Sequence, residues 1–348
     1  MRLERRAEVP LTLVLVAPLV AIVAALAIAG ILIALAGVNP LDAYRQLFVS
    51  AFGSRLSLTE TLTRATPLTL TGLAAAVAFR ARLWNIGGEG QFYAGALAAA
   101  FLGAHAFGLP APLHMLVMMA FGALAGLILL LGPLTLRIRF GVDEVVTTLL
   151  LNFIVLLFVS MMIEGPMKDP MAFGWPQSVP IARDFALPKL MAKSRVHIGL
   201  LIAIGLALVV WLIQAKARFG LEARAVGLNT KAARFAGIPV TRVLVLTALL
   251  SGGLAGLAGA IEVMGLKGYV TTDLSPGYGY SGIVVAMLAG LHPAGVVAAA
   301  LFVASVFVGA DGMSRALGIP SFIADVIVAL SLLTMLVALL LVTYRVRR

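Results

Sequence analysis

Cysteine is missing from all 348 residues, which excludes disulfide staples, thiol nucleophiles and thiolate metal sites. Histidine is scarce: His105, His114, His197 and His292 are the whole complement, and their spacing forms no sequence-local metal motif. No nucleophile elbow, HExxH pair or GxxxxGK[ST] phosphate loop occurs. The chain is therefore expected to carry no catalytic residues, metal ligands or bound cofactor of its own, so any ATP and Mg must be held by a partner. Charge is also sparse. Charged residues make up 12% of the chain, where soluble domains carry roughly a quarter.

What the sequence does contain is apolar: 61% hydrophobic residues and a mean hydropathy of +1.07. Apolar windows follow one another at 11–36, 62–81, 91–108, 112–136, 142–163, 197–213, 243–262, 279–291, 294–311 and 319–343. They are continuous rather than alternating, so they predict helices and not a barrel, and the eighth is too short to span alone. The expected fold is all-α, a polytopic membrane helical bundle of about ten membrane segments in one domain, 1–348. The basic start MRLERRAEVP leads into an apolar run too long for a signal-peptide core, which predicts an uncleaved first span. With that start in the cytoplasm, most of the 26 Lys and Arg fall on cytoplasmic segments, so both termini are expected inside a bacterial inner membrane. The net charge of +11 is then a topology signal facing membrane lipids, and no nucleic-acid partner is expected.

Two long loops take opposite faces in this topology. Residues 164–196, with Pro166, Pro170, Pro176, Pro180 and Pro188, read as an extracytoplasmic lid, docking surface or plain linker. Residues 214–242 are basic, alanine-rich and punctuated by Gly220, Gly227, Gly237 and Pro239, which predicts two short cytoplasmic helices joined by a turn.

Two glycine-rich interruptions sit between apolar runs. One is Asn85-Ile86-Gly87-Gly88-Glu89-Gly90-Gln91; the other is Asp273 to Gly282, with Tyr278 and Tyr280. Non-helical backbone at membrane depth is tolerated where protein buries it or a wet cavity solvates it, so both are candidate walls of a solute path. Their opposed placement in corresponding halves suggests two inverted-topology repeats. Asn85, Glu89, Gln91, Asn152, Tyr278 and Tyr280 are the candidate substrate-pathway residues. A capping role for Glu89 and a bend-fixing role for the amides are the alternative. Gly252 and Gly256, four apart, predict close helix packing, while Asp143 and Glu144 suit a helix N-terminus. Glu262 and Asp325 are ionisable groups in apolar surroundings that point to a cavity or a partner.

The stretches 78–95 (AFRARLWNIGGEGQFYAG), 140–153 (FGVDEVVTTLLLNF) and 224–265, and more loosely 311–333, resemble the permease subunits of bacterial ABC importers for simple sugars, branched-chain amino acids and nucleosides. The NIG-x-EGQ stretch is similar to the guanosine/nucleoside-type subgroup, although Gly88 stands where those relatives often carry alanine. The resemblance implies uptake of a nucleoside or related polar solute, with sugar or branched-chain amino acid uptake as the alternative. It also implies a second permease subunit, an ABC ATPase, and an extracytoplasmic solute-binding protein or lipoprotein. By the same resemblance Arg224, Gly227, Asn229, Ala232, Ala233, Gly237 and Ile238 occupy the element that couples to the ATPase. An ATP-independent carrier or channel is the rival class.

Overall fold

A computed structural model describes residues 2–5, 11–105, 107–320 and 322–347. Its helices are α1 (Leu11–Leu35), α2 (Pro40–Phe52), α3 (Arg55–Arg80), α4 (Gly88–Gly103), α5 (Ala111–Phe140), α6 (Glu144–Glu164), α7 (Gly199–Lys216), α8 (Arg218–Leu228), α9 (Thr230–Phe235), α10 (Val240–Glu262), α11 (Tyr278–Leu288), α12 (Pro293–Leu317) and α13 (Ile323–Thr343). A short antiparallel ribbon pairs β1 (Arg2–Arg5) with β2 (Tyr344–Arg347), which brings the two ends of the chain together on one face.

Each apolar window contains one helix. Among the described residues seven helices (α1, α3, α5, α6, α7, α10 and α12) are long and apolar enough to cross a membrane. The sequence pattern passes over α2, because Asp42, Arg45 and Gln46 break its apolar run. It forms from an Asn39 cap, whose side chain accepts from the Leu41 N–H, and a proline at its first position.

The least apolar of the seven, α3, is the most enclosed, with 89% of its central window buried against 22% for α5 and α7. Its threonines make this possible. Thr63, Thr66, Thr69 and Thr71 each donate to the carbonyl four residues back, so their hydroxyls enter the core already paired. The exposed Leu, Ile and Phe side chains of α5, α6 and α7 form the apolar outer surface.

Lipid tails are as apolar as leucine, so helices gain little from burying apolar surface against one another and associate through close backbone approach. Helix α10 does this on two sides. A Cβ at Gly256 would lie 2.3 Å from the Gly122 carbonyl of α5, one at Gly252 would lie 2.6 Å from that of Gly126, and one at Gly259 would lie 1.8 Å from the Phe92 carbonyl of α4. The four-residue glycine spacing read from the sequence is thus a packing seam.

At its far end α10 continues into a π-helical turn, Val263–Lys267, that packs on the 164–196 loop. Gly265 and Gly199 lie against the buried His197 ring, whose Nδ1 accepts from the Gly199 N–H while Nε2 has no partner. Burial pushes the His197 imidazole down from 6.5 to about 4. Above pH 6.5 the ring is neutral folded or unfolded. As pH falls below 6.5 the unfolded chain takes up a proton that the fold refuses, so stability declines until about pH 4, by about 3 kcal/mol in all. His197→Gln is therefore expected to flatten the fall in melting temperature between those two pH values, measured on purified protein in detergent.

Candidate functional site

Helices α4 and α11 are half-helices whose N-termini meet. Gly88 faces the Gly279 backbone, and a Cβ at Gly279 would lie 2.1 Å from the Glu89 nitrogen. From this junction α4 runs to Gly103, whose carbonyl accepts from Ala182 in the 164–196 loop. Helix α11 runs the other way, to Gly290, Leu291 and His292 beside Arg224 and Gly227. The level of the junction follows from α3: Thr71 donates to the Tyr278 carbonyl and abuts Gly282. Nine residues separate Thr71 from Arg80 at the helix end, about 13.5 Å, which is close to half of a hydrocarbon core roughly 30 Å thick.

Glu89 fastens the junction. It is buried in the first turn of α4, and its carboxylate accepts from the Gly279 N–H of α11 at 2.6 Å, with the Ser275 hydroxyl facing the same group. Two helix N-termini thus share one carboxylate, each with its partial positive end toward it. Tyr93 reinforces the contact by donating to the Thr272 carbonyl and accepting from the Ser275 N–H. The run 277–282 spells GxGxxG, but Gly279 and Gly282 admit the α4 and α3 backbones and no strand leads directly into the run, so it lacks the strand–turn–helix setting of a dinucleotide site.

The amides form a second knot. Asn85 and Gln91 exchange two hydrogen bonds, 2.9 and 2.8 Å long, and Asn85 also donates to Ser251 and accepts from the Gly87 N–H. Ser251 in turn donates to the Ala74 carbonyl of α3. From α6, Asn152 accepts from the Gly90 N–H and donates to the Ile86 carbonyl and the Tyr280 hydroxyl, while Thr148 accepts from the Ile86 N–H. Glu144 accepts from the Trp84 N–H and from Arg137. Between residues 84 and 91, side chains on α6 and α10 thereby supply partners that a helix would have supplied, which is what lets irregular backbone persist in an apolar bundle.

All six candidate pathway residues come together here. Asn85, Glu89, Gln91, Asn152 and Tyr278 are buried, and Tyr280 is the member that reaches the surface, at 38% exposure. Sequence reasoning missed Ser251, Thr148 and the second use of Glu144. Ser251 was legible only as a packing residue at the head of a glycine run, and nothing local to Thr148 or Glu144 points to a segment some 60 residues away. Asp143 caps α6 by accepting from the Val145 N–H, as its position suggested, and Glu262 is buried.

The 214–242 segment forms two helices, as its punctuation predicted. Asn229 joins them, accepting from the Lys231 and Ala232 N–H groups at the start of α9, and Gly237 ends α9 at φ +79°. Gly227 lies directly on the Arg80 carbonyl, and Arg80 donates to Gln214 at 2.6 Å. Ala223, Val226 and Ala233 share a small core with Phe79, Leu130 and Val243, so the pair is clamped to the ends of α3, α5 and α10. Arg224, Asn229, Ala232 and Gly237 are exposed, Ile238 is half-buried, and Phe235 is 95% exposed.

Interrupted half-helices that meet inside a bundle of apolar spans, with a helical pair clamped to one end, are the architecture of a polytopic transport permease. The family described as the permease component of the branched-chain amino acid transport system matches residues 57–343, and the chain belongs to it. Among its relatives is the guanosine ABC transporter permease of Bacillus subtilis, 35% identical over 92% of both chains. The nucleoside ABC transporter permease NupB of Lactococcus lactis is 36% identical over 90% of this chain and 88% of its own. The glucose ABC transporter permease TsgB13 of Haloferax volcanii is 34% identical over 99% of this chain and 93% of its own. The protein is thus a membrane-spanning permease subunit of an ATP-binding-cassette importer.

Proposed function

We propose that this subunit forms the path for uptake of nucleosides or closely related polar solutes, as a single permease domain over 1–348 in the inner membrane with both termini cytoplasmic. The observation that carries the solute reading is the similarity, over about nine-tenths of each chain, to permeases named for guanosine and nucleosides. The similarly long match to a glucose permease supports a second reading, a sugar. Uptake of labelled guanosine, glucose and leucine into cells expressing the complete transporter separates them. ATP-dependent guanosine uptake is expected, and uptake of leucine alone would overturn both readings.

In this reading the bundle comprises ten membrane segments in two inverted-topology halves, whose interrupted members are α4 and α11. Asn85, Glu89, Gln91, Asn152 and Tyr278 brace the wall of the path, and Tyr280 presents its ring to the solute. The 164–196 loop faces the extracytoplasmic binding protein or lipoprotein. A second permease subunit completes the path, lipids surround it, and the partner ATPase binds ATP and Mg.

Segment 214–242 is the cytoplasmic coupling element. Arg224, Gly227, Asn229, Ala232, Ala233, Gly237 and Ile238 set its shape, and Phe235 is the exposed apolar knob offered to a groove of the ATPase. A rigid element transmits movement only if it does not slide on its support, and Gly227 gives that support by backbone contact with α3. Gly227→Val is expected to leave the permease in the membrane while ATP hydrolysis loses its link to uptake, read as transported solute per ATP. Undiminished coupling would exclude this role.

A further inference from the structure

A second polar site lies on the face of the 164–196 loop. A cavity of about 390 Å³ opens between α3, α12 and that loop, lined by Glu60, Arg64, Asp311, Arg315 and Arg195. Each helix presents a carboxylate and a guanidinium one turn apart: Glu60 and Arg64 on α3, Asp311 and Arg315 on α12. Arg64 bonds Asp311 across the cleft at 2.5 Å, and Arg195 of the loop pairs with Glu60 at 3.6 Å. Arg64 lies sixteen residues, about 24 Å, from the Arg80 end of α3, and Asp311 lies well inside α12. The cleft therefore lies toward the 164–196 face, and its charged side chains are partly accessible to water there.

The pairing leaves capacity unused. Each recorded ion pair is a contact between one guanidinium nitrogen and one carboxylate oxygen, and all four partners keep part of their side chains accessible, from 24% for Glu60 to 63% for Arg195. Acceptors and donors therefore lie side by side in the cleft, next to the apolar Leu56 and Val308. A vicinal diol matches such an array, because its two hydroxyls donate to carboxylate oxygens while their lone pairs accept from guanidinium N–H groups.

We propose that the cleft formed by Glu60, Arg64, Asp311 and Arg315 is a solute subsite that recognises a vicinal diol on a sugar ring, upstream of the half-helix junction. This rests on the solute reading above and deepens it, since guanosine and glucose have the vicinal diol in common. The subsite adds selectivity in the permease to whatever the binding protein supplies.

The test compares uptake of guanosine and 2′,3′-dideoxyguanosine by the complete transporter, with the binding protein's own affinities for both measured separately. The wild type is expected to favour guanosine about ten-fold beyond the binding protein's ratio, the worth of one or two hydrogen bonds. Asp311→Asn and Glu60→Gln, each keeping side-chain size, should reduce that excess to roughly two-fold or less, with ATPase assembly unchanged. Glu60→Gln leaves the Arg64–Asp311 pair intact, so it reports even where Asp311→Asn is poorly folded. An excess that both variants retain, or a wild type with no excess, overturns the subsite while leaving the solute reading in place. A transporter that moves neither guanosine nor glucose overturns the solute reading first.

Discussion

Gly259→Val is expected to abolish recovery of folded protein. Its first side-chain carbon would fall 1.8 Å from the Phe92 carbonyl, with the Ala96 nitrogen also within 3 Å, so two backbones rather than a flexible side chain would have to move apart. Overpacking a core costs about 1–3 kcal/mol when side chains can adjust, and a backbone clash exceeds that in a fold with roughly 5–15 kcal/mol in hand. The control is six residues away in the same glycine run. At Gly253 the nearest atom is 3.9 Å from the added carbon, so Gly253→Val should yield normal, monodisperse protein in detergent. Equal loss from both substitutions would mean that the seam with α4 does not set the tolerance.

The other large effect is expected at the half-helix junction. Glu89→Ala removes the acceptor of the Gly279 N–H and leaves two helix N-termini facing each other without a compensating charge. A buried donor left unpaired costs about 1–3 kcal/mol, more where the lost partner is charged, so melting temperature and uptake should both fall sharply. Glu89→Gln retains an acceptor and should recover most of the stability. If α4 and α11 must shift against each other during transport, Glu89→Gln will still transport more slowly than wild type with ATPase assembly intact. Asn85→Ala, which deprives Gln91, Ser251 and the Gly87 N–H of a shared partner, should change solute preference as well as stability. Wild-type selectivity in every well-folded variant would leave these residues a purely structural task.

Much of this arrangement is written locally. Window hydropathy marks a helix at each of ten places, Gly227 and Gly237 mark the turns of the coupling segment, and the spacing of Gly252 and Gly256 marks a packing face. These are short-range properties: apolar length, backbone freedom at glycine, and the repeat of side chains along one helix face. The glycine-rich segments 85–91 and 273–282 are conspicuous for the same reason.

Their meaning is not local. The sequence by itself determined that this is a helical membrane protein with two broken segments and a basic helical pair, because each feature depends on neighbours a few residues apart. Only the tertiary structure decided that Glu89 serves both half-helices, that Ser251, Thr148 and Asn152 replace the missing helical hydrogen bonds, and that Glu60 and Arg64 share a cleft with Asp311 and Arg315. Those partners lie about 60 to 250 positions apart in the chain. A buried donor accepts any acceptor of suitable geometry, whatever its place in the chain, so the pairing is fixed by which helices pack together, and that is settled by steric fit across the whole bundle.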